Sequence, residues 1–189
     1  MGSAGAREWL AEGLRLLAEQ GAPAVTLERV CERMGMSKGA FYHHFGSVPK
    51  FRTRLLAHFE AEYTTAVIDA VEGAAGLPAR ERLDLLVAEA LRDTTPDLEI
   101  AVRAWAKQDP EAAAVQERVD ATRIAYVRDL CERAGHADPD RTATLVYLVL
   151  IGGAHLAPPL PHEDKRALCA LVLGRADAAA AAPRRGPTP

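Results

Sequence analysis

Residues that could do chemistry crowd into one stretch, "MSKGAFYHHF" at 36–45, in a chain with an aromatic content of only 5%. The stretch offers Lys38, Tyr42, His43 and His44 as donors and contains no carboxylate. On a helix, Phe41 and Phe45 share one face as i, i+4 neighbours, and Gly39 and His43 point to the opposite side. Ala40 and Tyr42 flank that outer face. Lys38 stands at the helix N-terminus, where free backbone amides also favour a phosphate. Gly39, having no side chain, lets the backbone approach whatever lies opposite. Adjacent histidines point about 100° apart on a helix, so His43 and His44 make a poor metal pair. A helix face with donors and no carboxylate suits the major groove of DNA.

Two short helices and a tight turn would position these side chains. Thr26 offers a capping hydroxyl to "LERVCERM", Gly35 breaks that helix, and Ser37 caps the next. Cys31 is the small residue at the helix crossing, and Val30, Met34, Met36 and Phe41 close the core, which is the pattern of a helix-turn-helix. Ahead of it, Leu10, Leu14 and Leu17 beside Trp9 mark a first helix that Gly21 stops. Behind it, Pro49 opens a long fourth helix to about Ala75, with Phe51, Leu55, Phe59, Tyr63, Val67 and Val71 as its apolar stripe. Pro78, Pro96 and Pro110 punctuate further helical patterns, and Pro139 opens another that "LAPPLPHED" ends. A last helix is expected from about Glu163 to Ala182, followed by a disordered tail at 183–189. The fold class is therefore all-α. An N-terminal three-helix DNA-binding domain at 1–46 is joined by the fourth helix to a larger helical domain at 47–182.

Composition narrows the function. The net charge is −3, but residues 1–54 carry 8 basic and 5 acidic side chains, so the halves are +3 and −6. A small basic module on an acidic body is a polyanion footprint. The apolar stretch at 143–157 is shorter than the roughly 18 residues of a membrane span, and it reads as a helix buried on all sides. No secretory signal opens the chain, so a cytoplasmic protein without a membrane partner is expected. Cys31, Cys131 and Cys169 are far apart and lie in helical apolar patterns, which makes them small buried hydrophobes. No catalytic constellation or phosphate-cradling glycine loop occurs at a recognisable spacing, so neither an enzyme nor a cofactor is expected. His58 and Glu62, at i, i+4, read as a solvated helix face and not as a metal site. Trp105 with Arg103 and Glu99 either lines a ligand pocket or forms core beside an i, i+4 ion pair. Phe59, Tyr63, Arg123 and Tyr126 carry the same two readings, and a small, largely apolar ligand near Trp105 and Tyr63 is the expectation.

"TLERVCERMGMSKGAFYHHFGS", between a helix with Trp9 and a long fourth helix, resembles the DNA-binding domain of TetR-family transcriptional regulators. Tyr42, His44 and Phe45 form the most specific part of the resemblance, which is strong over residues 7–55. It implies phosphate contacts near Thr26, Tyr42, His44 and the start of the fourth helix, and base contacts from Lys38, Gly39 and His43. Ser37, Ala40 and Lys50 complete the expected DNA-facing set. Many family members carry a lysine where this chain has Val48. One helix-turn-helix per chain implies a homodimer on a palindromic operator of double-stranded DNA. The resemblance places a four-helix dimer interface on the last two helices, through Tyr147, Val149, Leu150, Leu168, Leu171 and Val172. The expected output is repression relieved by a small-molecule ligand. The alternative is a helical ligand-binding or protein-interaction module that no longer binds DNA.

Overall fold

The computed structural model describes residues 5–92 and 96–174, and all regular structure among them is helical. Three helices make the head: α1 (Ala6–Gln20), α2 (Leu27–Met34) and α3 (Lys38–Phe45). The capping residues act as the sequence implies. Thr26 Oγ1 accepts the Arg29 N–H at 3.4 Å, Ser37 Oγ accepts from Ala40 at 3.3 Å, and Gly35 ends α2 in the left-handed region at φ 62°. Trp9 is fully buried, with Phe41 edge-on at 5.7 Å, and Phe41 and Phe45 both lie within 5.1 Å of the Phe51 ring. A short 3₁₀ turn at Ala22–Ala24 links α1 to α2.

The fourth helix is not uniform. α4 (Val48–Glu60) passes through a π-helical turn at Ala61–Thr65 into α5 (Ala66–Glu72). The body is completed by α6 (Ala79–Ala90), α7 (Pro96–Ala106), α8 (Pro110–Arg133), α9 (Pro139–His155) and α10 (His162–Val172). Two apolar clusters hold the molecule together. The first runs from Trp9, Phe41 and Phe51 into Leu98, Val102, Trp105 and Val119, so the head shares its core with α7 and α8. The second joins Val71, Leu83 and Leu86 to Leu130, Val146 and Cys169. Gly13 allows the close approach of α1 to α4, since a Cβ there would meet Phe51 Cζ at 2.8 Å and Leu55 Cδ1 at 2.9 Å. All three cysteines are buried and free.

One expectation needs correction. The helix at 139–155 is not buried on all sides, because Leu145 and Leu148 are 44% and 58% exposed while Ala143, Val146 and Tyr147 face inward. Its composition is apolar all round, but α8 and α10 cover only part of its circumference. α10 is described as far as Val172 and its closing turn as far as Gly174, so the stretch expected to continue to Ala182 and the tail at 183–189 lie outside the described residues. No helix among the described residues is long and apolar enough to cross a membrane.

Candidate nucleic-acid interface and ligand cavity

The α3 helix splits its side chains as its period requires. Phe41 and Phe45 are buried, whereas Lys38, Gly39, Tyr42 and His43 are exposed and Ala40 is half-buried. Gly39 has nothing nearer to a would-be Cβ than Ser37 Oγ at 3.6 Å, so its outer side is open. His44 is half-buried and turns toward the head core, its ring centroid 6.4 Å from that of Trp9. Thr26 and Ser37 spend their hydroxyls on capping, at the N-termini of the two helix-turn-helix elements. Lys50 is exposed at the start of α4, and Val48 packs against the head core.

The basic charges of this region are less free than their count suggests. Lys38 Nζ donates to Glu28 Oε1 at 2.6 Å, which raises the lysine pKa and lowers that of the carboxyl. A carboxylate from α2 therefore reaches the edge of a face expected to have none. Arg33 is held by Glu12 and Glu19 at 2.6 and 2.7 Å. Arg54 donates to the His44 carbonyl at 3.0 Å and lies 4.9 Å from the centre of the Phe45 ring, fastening α4 to the C-terminus of α3. Arg52 lies over Trp105 at 5.7 Å. None of these pairings has a periodic signature, because each joins different elements.

In the body, a cavity of about 900 Å³ lies among α1, the π turn and α5 to α10. Tyr63, Glu99, Arg123 and Tyr126 line it. Phe59, Arg103 and Trp105 stand outside it. Phe59 is buried and stacks on Tyr63 at 5.6 Å, and Trp105 belongs to the first apolar cluster. Arg103 faces α8 and α9, donating to Asp120 at 2.7 and 3.0 Å and to the Tyr147 hydroxyl at 2.9 Å. Arg123 crosses to the π turn, donating to Thr64 Oγ1 at 3.0 Å and to the Tyr63 carbonyl at 3.1 Å, and it pairs with Glu99 at 3.0 Å. Tyr126 donates to Glu72 at 2.7 Å, and burial together with that carboxylate pushes its pKa well up. His58, Leu86, Val87, Leu150 and Lys165 also line the cavity, and none of them stood in the expected ligand set. They come from elements whose convergence only the tertiary fold reveals.

The residues expected at a dimer interface are divided too. Leu168 and Leu171 are exposed, and Leu145 and Leu148, not foreseen, join them from the packed neighbour α9. Tyr147 points inward: its hydroxyl donates to Asp120 at 2.5 Å, and burial pushes its pKa up to about 12. Leu150 lines the cavity, and Val149 and Val172 pack half-buried on the second cluster.

Residues 10–47 match the family model described as bacterial regulatory proteins, tetR family. No curated protein sequence matches the chain. Among solved structures, it is similar to a TetR/AcrR family regulator at 21% identity and a TM-score of 0.73, covering 92% of this chain and 97% of that one. It is similar to a TetR-like transcriptional regulator from Rhodococcus sp. RHA1, with 17% identity, a TM-score of 0.71, and 91% and 96% of the two chains covered. Reduced NemR from E. coli gives 20% identity and a TM-score of 0.69 over 92% and 96% of the chains. Residues 10–47 thus match the N-terminal domain of tetR-family regulators, and about nine-tenths of the chain shares the all-helical fold of the solved structures.

Proposed function

We propose that the protein represses transcription as a homodimer on a palindromic operator, and that a small molecule entering the body cavity releases it. The reading head spans 1–46 and the regulatory body begins at 47. The observation that carries this is the outward face of α3, where Gly39, Tyr42 and His43 stand in solvent above a core of Phe41, Phe45 and Trp9 that fixes the helix. Lys38, Gly39 and His43 meet base edges, with Ala40 beside them. Thr26, Ser37, Tyr42, His44 and Lys50 lie along the phosphates. Leu145, Leu148, Leu168 and Leu171 form the contact between protomers, since large exposed apolar faces mark interaction sites. The π turn supports the regulatory half of the reading, because Glu62, Tyr63 and Thr64 line the cavity on the same helix whose first turn abuts the head. A ligand that prefers one setting of that helix shifts the spacing of the two heads.

Selection of bound DNA from random oligonucleotides tests the reading, and a palindrome should be enriched. On that palindrome, His43→Ala is expected to cost about 1 to 3 kcal/mol while barely changing binding to random DNA. Lys50→Ala should weaken all sequences alike and lower the salt dependence by about one phosphate per subunit. If His43→Ala weakens operator and random DNA by the same factor, His43 is a backbone contact and the assignment of base reading fails.

A further inference from the structure

Lys165 of α10 is 3% exposed and lines the cavity, yet among the described residues its ammonium has no carboxylate, hydroxyl or carbonyl partner. The other cations on the cavity wall are answered: Arg7 by Glu62, Arg15 by Glu12, Arg92 by Glu89 and Arg123 by Glu99. Glu163 and Asp164, its neighbours on α10, are exposed. Burial alone acts on its titration and holds it below the usual lysine range.

The place for this side chain is built. Its stem lies across Gly153 of α9, where a Cβ would stand 3.1 Å from Lys165 Cε and 3.3 Å from Cγ. Leu160 closes the same groove, its N–H donating to the Gly153 carbonyl at 2.8 Å. A charge on a side chain so largely buried, with no partner, is disfavoured, and an apolar residue of similar volume would not carry that cost. A lysine kept there without a protein partner fits a partner that arrives from outside.

We propose that Lys165 is the anion-binding group of the cavity, and that the cavity takes a small amphipathic monocarboxylate. Its head sits on Lys165 Nζ and its apolar body lies along Leu86, Val87 and Leu150. One unanswered cation balances one negative charge, so a dianion such as a phosphate monoester would bring a second charge into an apolar wall. A compact ammonium also suits a single carboxylate better than the forked recognition that arginine gives. The proposal rests on the cavity being the effector site of the regulatory reading above, and it names the chemical class of the effector.

Calorimetric titration of the full chain with decanoate, decanamide and decylamine tests it. The wild type is expected to bind decanoate about tenfold to a hundredfold more tightly than decanamide, and decylamine least of all. Lys165→Met should abolish that preference and leave decanamide binding as it was. Equal binding of decanoate and decanamide by the wild type, binding of neither, or an unchanged preference in the variant overturns the proposal. The wild-type comparison decides the matter even if the variant does not fold. Titrating the selected palindrome in the presence of each compound separates the two readings. Decanoate held through Lys165 without effect on DNA leaves the ligand class standing and removes the regulatory role. Release of DNA by decanamide as readily as by decanoate does the reverse.

Discussion

Lys38 and Glu28 meet across the helix-turn-helix at 2.6 Å, so in the free protein the lysine nearest the groove is already engaged. To make the base contact proposed for it, Lys38 must exchange that carboxylate for the nucleic acid, and Glu28 beside it carries the same sign as the phosphates. Glu28→Gln is therefore expected to tighten binding to operator and random DNA alike by about two- to fivefold, as read by fluorescence anisotropy at one fixed salt concentration. Unchanged affinity would mean that Lys38 stays on Glu28 in the complex. His58 supplies a second residue-scale expectation. Its side chain is 11% exposed, with Glu62 at 3.7 Å, and burial lowers its pKa below the ordinary 6.5. The unfolded chain then binds the proton that the folded one refuses, so this histidine's contribution is full above about pH 6.5 and falls away as the pH drops below it. His58→Gln should flatten the loss of melting temperature between about pH 7 and pH 5.5. The division of Phe41 and Phe45 from His43 was legible in sequence because it follows from period alone. The Lys38–Glu28 contact was not, since ten residues and a turn separate the partners.

The helix starts could be read residue by residue from Thr26, Ser37, Pro110 and Pro139, because a cap or a first-turn proline acts locally. The π turn was hidden, although the stripe Phe51, Leu55, Phe59, Tyr63, Val67, Val71 held a clue. A strict spacing of four drifts about 40° per step on an α-helix, so Phe51 and Val71 would end on nearly opposite faces. A π turn winds more slowly per residue and takes back part of that drift, and both residues are buried. Arg123 holds the turn by its bonds to Thr64 and the Tyr63 carbonyl while neutralising Glu99. Arg123→Met removes three polar contacts in a half-buried place, and we expect a loss of about 2 to 3 kcal/mol in urea unfolding at constant m-value. A loss below about 0.5 kcal/mol would show that the turn holds without it.

At the scale of the whole molecule, residues 1–54, at +3, make one end of the chain attractive to DNA, and residues 55–189, at −6, make the remainder repellent, which orients the protein before any base is read. The membership of the cavity could not be read from the chain, because an apolar residue carries the same pattern whether it meets core, cavity or partner. Trp105 read equally as pocket or core and lies in the core, and Tyr147 looked like interface and turns inward. Leu148 and Leu171, at 58% and 59% exposure, belong to the face proposed above for a second protomer. Pairing two heads makes the second contact intramolecular, so losing the pair should cost about a hundredfold or more in operator affinity. Sedimentation of the protein with its selected palindrome tests this most directly. Two protomers per palindrome are expected for the wild type. A monomer that no longer holds the palindrome at micromolar concentration is expected when Leu148→Asp is combined with Leu171→Asp. A wild-type monomer bound to the palindrome, or a doubly substituted monomer bound as tightly as the wild type, would contradict it.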